Sequence, residues 1–199
     1  MSLRPDARDV ARHEAGHVVV GFELTGRVPL SVTIDRAGDF EGRCDWSGIM
    51  PTGGALRGFP LDEILNWLAM RAAGEEALEN AELGDVDRGG RRDRYDASDL
   101  LMAAIREDGG PQIFVSDSSD LFEAAATPYW LAAQQRARDR LATPTAGRML
   151  NAVTGSLLVQ RTLTSGQLEE LLGPLRISVA GDLIKPDGGE PSPSNVHPD

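Results

Sequence analysis

The sequence predicts a mainly helical protein with one small two-stranded β-ribbon, and three observations lead there. Apolar residues recur at helical spacing over long stretches near both ends of the 199-residue chain. Capping residues and prolines mark several helix starts. Only the region from Gly26 to Met50 shows the short alternation expected of strands. The length suffices for one domain with a substantial core.

Pro5-Asp6 followed by Ala11, Ala15, Val18 and Phe22 sets a first helix running to about Leu24. Val10, Val20 and Leu24 make it apolar nearly all round, as a helix buried among others would be. Ser31 to Ile34 and Gly42 to Met50 form the two ribbon strands, closed by Gly53-Gly54. Leu61, Ile64, Leu65, Leu68, Ala72 and Ala73 mark a second helix reaching roughly Glu79. From Gly84 to Tyr95, glycines and alternating charges offer nothing to a core and predict a surface loop. A third helix, from about Ala97 to Arg106, turns Leu100, Leu101, Ala104 and Ile105 inward and stops at Gly109-Gly110-Pro111.

Three more helix starts follow, at Thr127-Pro128, at Thr143-Pro144 and at the Thr164/Gln167 capping box. The last of these helices should end at Gly173-Pro174. Residues 1–183 are thus expected to form one helical domain, and residues 184–199 a disordered tail rich in proline and glycine.

Composition removes several function classes. A net charge of -11 disfavours nucleic acid and anionic lipid as partners. Cys44 is the only cysteine, so the chain holds neither an internal disulfide nor a cysteine-rich zinc knuckle, and a cytoplasmic location is expected. No apolar run approaches the roughly 20 residues needed to cross a bilayer, so membrane insertion is not expected. The one lysine, Lys185, has no neighbouring glycine, so no Walker-type phosphate loop exists and any ATP dependence must come from elsewhere.

The chemistry sits on the first helix, where His13-Glu14-Ala15-Gly16-His17 reads as H-E-x-x-H. Residues four apart stack on one helix face, so both imidazoles can address one zinc ion at about 2.0 to 2.1 Å. Glu14 then stands beside the ion, placed to act as general base toward a water whose pKa zinc lowers to about 7. Such a string also arises by chance on helices that bind nothing, with both histidines as satisfied core residues. His197 falls in the tail and receives no role. Catalytic zinc sites commonly add a third protein ligand. Position 23, where a metzincin would carry histidine, is Glu23, and Glu75, Glu76 and Asp99 are the competing carboxylates.

Arg12 to Val20, with its HEAGH core, resembles the zinc-binding helix of the FtsH-type peptidase domain found in membrane-linked ATP-dependent proteases. Val32-Thr33-Ile34 is similar to that family's first ribbon strand, Leu68 to Glu76 to its G-R-x-A-E-E helix, and Ala97 to Leu100 to its A-S-N-D-L segment. Leu157 to Thr164 resembles the family's closing pair of helices, and the order of all these segments agrees. The resemblance implies an array of about six helices with a small ribbon, and zinc held by His13, His17 and Asp99 with Glu14 as base. It further implies a zinc metalloendopeptidase acting on flexible or unfolded polypeptide, laid along the ribbon edge near Gly42 to Ile49, with a separate ATPase or a homo-oligomer as partner. Met70, Gly74 and Ser98 depart from the family pattern around the site. The rival expectation is a catalytically weak or inactive adaptor built on the same array.

Overall fold

In a computed structural model, residues 6–35, 42–51, 56, 58–79, 90–109 and 119–182 are described, those at 90–92, 119 and 176–182 by backbone alone. The expected tail at 184–199 and the Gly53-Gly54 turn lie outside the described residues. The chain is mainly helical, with α1 (Ala7–Thr25), α2 (Leu61–Glu79), α3 (Gly90–Asp96), α4 (Ser98–Glu107), α5 (Ser119–Leu141), α6 (Pro144–Gln160) and α7 (Ser165–Asp182). Three short strands, β1 (Ser31–Thr33), β2 (Arg43–Asp45) and β3 (Thr162–Thr164), make an antiparallel sheet in the order β2-β1-β3.

Helix α1 begins where the Asp6 carboxylate accepts the Arg8 N–H. It ends at Gly26, whose left-handed backbone (φ 70°) lets its N–H reach the Phe22 carbonyl. Between these caps Ala11, Ala15 and Val18 to Val20 are fully buried, because α1 packs against both α2 and α6. Gly16 permits the α1–α2 approach: a Cβ there would stand 2.4 Å from the Ala73 carbonyl oxygen. Helix α2 also packs along α5, so these two helices carry the core around α1.

The sheet has one strand more than the sequence suggested. Thr162-Leu163-Thr164 alternates exposed, buried, exposed and pairs with β1, with Val32 opposite Leu163. Three residues that also enter a helix cap carry too short a pattern to stand out. The capping box itself forms, Thr164 N–H donating to Gln167 Oε1 at 2.9 Å. On the other side of β1, Val32 faces Cys44, which brings the Cys44 thiol to the Glu14 carbonyl at 3.3 Å.

Three further expectations are corrected. Residues 90–95 of the expected loop belong to helix α3, and the rest of that loop lies outside the described residues. Pro128 does not start a helix but lies inside α5. The Thr127 hydroxyl does not cap it; it donates back to the Glu123 carbonyl four residues earlier, as threonine does within a helix. Pro174 does not stop α7, because the stripe Leu168, Leu171, Leu172 and Leu175 continues across it at helical spacing. No helix among the described residues is long and apolar enough to cross a membrane.

Candidate metal centre

Three elements meet at the candidate site. Helix α1 supplies His13, Glu14 and His17 from consecutive turns of its buried face, and α3 supplies Asp93. Helix α2 forms the floor, contributing the Met70 carbonyl and the bare backbone of Gly74.

The donor atoms converge on a common point. His13 Nε2 lies 3.1 Å from His17 Nε2 and 3.1 Å from Asp93 Oδ2, and His17 Nε2 lies 3.4 Å from Asp93 Oδ2. Bonds of about 2.0 to 2.1 Å to a tetrahedral ion require donors roughly 3.3 Å apart, so these three atoms fit one face of a zinc coordination tetrahedron. The rings stand edge to face at 85°, as two imidazoles do when each presents a nitrogen to one point rather than stacking.

The surroundings prepare that set for a cation. His17 Nδ1 sits 2.7 Å from the Met70 carbonyl. A carbonyl only accepts, so the His17 proton belongs on Nδ1, and the neutral ring turns its Nε2 lone pair toward His13 and Asp93. Asp93 Oδ2 is buried and, despite its two imidazole neighbours, has no well-directed hydrogen bond. Two ring nitrogens and a buried carboxylate oxygen that itself lacks a directed hydrogen bond, all crowded together, match the nitrogen and oxygen donor chemistry of zinc.

Charges without an ion balance differently. Burial disfavours the His17 imidazolium, yet the Asp93 carboxylate and Glu14 outweigh it and push the His17 pKa up to about 9. Burial likewise opposes ionisation of Asp93, but the imidazoles hold its carboxyl well below the usual range. Glu14 is 6% exposed and its Oε2 has no partner. Burial raises its pKa, with the two histidines pulling the other way. That combination suits a carboxylate that must take and return a proton. The Cys44 thiol, also buried and close to Glu14, is raised well above its ordinary value and remains protonated.

Asp93 is the carboxylate that meets the imidazoles, and Asp99, Glu75 and Glu76 are not in the cluster. Asp99 is exposed on the first turn of α4, whose inner side is filled by Leu100, Leu101, Ala103, Ala104 and Ile105. Glu76 is fully buried but gripped by Nε and a terminal nitrogen of Arg138, a strut between α2 and α5. Glu75 accepts a hydrogen bond from Gln134. The position of Asp93 is fixed by Arg94, which reaches Glu123 and Thr127 of α5 and lies over the Trp130 ring.

A signal for Asp93 was present in the sequence. Ala97 and Leu101 lie four and eight residues beyond it, and the backbone bonds Ala97 to Asp93 and Leu101 to Ala97 continue helically. Extending the buried stripe of α4 back by one turn lands on a carboxylate, which a surface loop would not place there.

Gly74 completes the geometry. A Cβ at this position would fall 2.4 to 2.6 Å from Cε1, Nε2 and Nδ1 of His13, so the absence of a side chain makes the slot in which that ring lies. Gly42 does the same for Glu14, whose Oε1 would be 2.5 Å from a Cβ there. No family model matches the chain, and no curated protein matches it either.

Proposed function

We propose that this protein is a zinc metalloendopeptidase that hydrolyses peptide bonds in flexible or unfolded polypeptide, with His13, His17 and Asp93 as metal ligands and Glu14 as general base. The observation that carries the proposal is the convergence of three donor atoms at 3.1 to 3.4 Å beside a buried carboxylate, one residue from the first ligand, whose Oε2 has no hydrogen-bond partner. Zinc held there would supply Lewis-acid polarisation of the scissile carbonyl and a water acidic enough to attack at neutral pH.

The chain's own residues do the remaining work. The Met70 carbonyl fixes the His17 tautomer, and Gly74 gives His13 its slot. Glu14 accepts the proton of the attacking water and later delivers it to the leaving amine, two transfers for which its burial-raised pKa is suited. Substrate would lie as an added strand on β2, one of the two outer strands in the order β2-β1-β3 and the one whose Cys44 touches the backbone of Glu14. The resemblance of the HEAGH helix to the zinc-binding helix of the FtsH-type peptidase domain supports the peptidase part of this reading, while Asp93 takes the place of the Asp99 that the resemblance implied as third ligand.

Glu14→Gln is the deciding variant. It should retain stoichiometric zinc while losing casein cleavage by about 100-fold or more, the scale of a positioned general base. Zinc-loaded wild-type protein that cleaves neither casein nor unstructured peptides would overturn the proposal in favour of an adaptor.

A further inference from the structure

Between the end of α1, the β2 strand with its following turn, and α2 lies a cleft of about 1110 Å³. It shares a wall with the candidate centre, because Cys44 lines it and donates its S–H to the Glu14 carbonyl. Trp46 forms a second, rigid wall: its ring packs so closely on α1 that a Cβ at Gly21 would stand 2.4 Å from it.

Trp67 and Arg71 also line this cleft, four residues apart on α2 and therefore on one face of the helix. Trp67 is 8% exposed and its indole Nε1 is buried without an acceptor. Arg71 Nε is buried without an acceptor as well, and among the described residues its guanidinium has no ion pair. Native proteins keep few such groups, since each forfeits its hydration without a return.

This chain carries 31 acidic residues against 20 basic ones, so anionic partners are plentiful, yet among the described residues none pairs with Arg71. Asp45, on the cleft wall, instead accepts the Ser47 N–H and holds its own turn. Both unserved groups only donate, which excludes a cation as their ligand, and the planar guanidinium fork matches a carboxylate.

We infer that this cleft is a carboxylate-recognising substrate subsite, in which Arg71 and Trp67 receive either an acidic side chain or the free C-terminus of a bound polypeptide. The inference rests on the peptidase reading for its substrate. It makes the protein selective for polypeptide carrying a carboxylate near the bond to be cut.

Tryptophan fluorescence of the zinc-loaded full chain, carrying Glu14→Gln to prevent turnover, tests it. Three otherwise identical extended peptides serve as probes: one with internal glutamate and an amidated end, one with glutamine and a free C-terminus, and one neutral throughout. One or both carboxylate peptides should bind about tenfold or more tighter than the neutral one, the scale of a charge-assisted hydrogen bond. Adding Arg71→Gln should erase that preference, and Arg71→Lys should keep part of it. Equal binding of all three peptides overturns the inference whether or not any variant folds, and so does an Arg71→Gln protein of wild-type zinc content that keeps the preference. Preference without cleavage by the wild type would sink the peptidase reading and leave the subsite standing; cleavage without preference would do the reverse.

Discussion

Replacing Gly74 with alanine adds one methyl group to the interior of α2 and tests whether the His13 slot is a metal-site device. The new Cβ would lie 2.4 to 2.6 Å from three ring atoms of His13, where ordinary contact begins at 3.4 Å, so the ring or the helix must yield by about 1 Å. Ligand bonds tolerate deviations of only about 0.2 Å. The perturbation therefore exceeds what the site can absorb, and zinc affinity should fall by at least the 10- to 100-fold typical of lost support around a ligand. Stability of the zinc-free protein should change far less. Alanine gains about 1 kcal/mol of helix propensity over glycine, which offsets part of an overpacking cost of about 1 to 3 kcal/mol. Competition with a chromophoric chelator measures the first quantity, and thermal unfolding in chelator the second. A Gly74→Ala protein that binds zinc as tightly as the wild type would refute the slot argument, and one that unfolds outright would show that Gly74 serves packing instead.

Other predictions follow from the same geometry. Asp93→Asn should lower zinc affinity by more than about 100-fold. Asp99→Asn, at an exposed position, should leave zinc binding intact and stability within about 0.5 kcal/mol, and the reverse pattern in parallel chelator titrations would move the third ligand to α4. In zinc-free protein the His17 pKa of about 9 exceeds its unfolded value near 6.5, so the stabilisation from its ion pair with Asp93 is complete below about pH 6.5 and is lost as pH rises through 9. Denaturant unfolding in chelator should show stability declining across that window. Saturating zinc, which takes the place of the proton, should flatten the decline; a flat zinc-free profile would contradict the ion pair.

The parts of this protein legible in its sequence are those set by local period. His13, Glu14 and His17 fall on one face of α1 because three and four residues span one turn, and the apolar residues among them declared that face buried. The spans of α1 and α2 and the cap at Thr143 were readable for the same reason. Asp93 was missed, because the charges around it look like solvent exposure and mask the stripe that runs back from Leu101 through Ala97. Pro128 and Pro174 misled because proline's preference for helix ends is a tendency, overridden where a continuous stripe of contacts favours one longer helix. The third strand rests on partners about 130 residues away, which no local pattern contains. Gly74 looked like a departure from a family pattern, and only the His13 ring lying against it shows what its missing side chain does.

X-ray absorption at the zinc edge, on protein loaded with one equivalent of the metal and freed of loosely bound ion, examines the central claim most directly. One zinc per chain, with two imidazole nitrogens and a carboxylate oxygen at about 2.0 to 2.2 Å, is the expected result, with the oxygen contribution altered in Asp93→Asn. Failure to retain stoichiometric zinc, or a first shell containing a single imidazole, would contradict it.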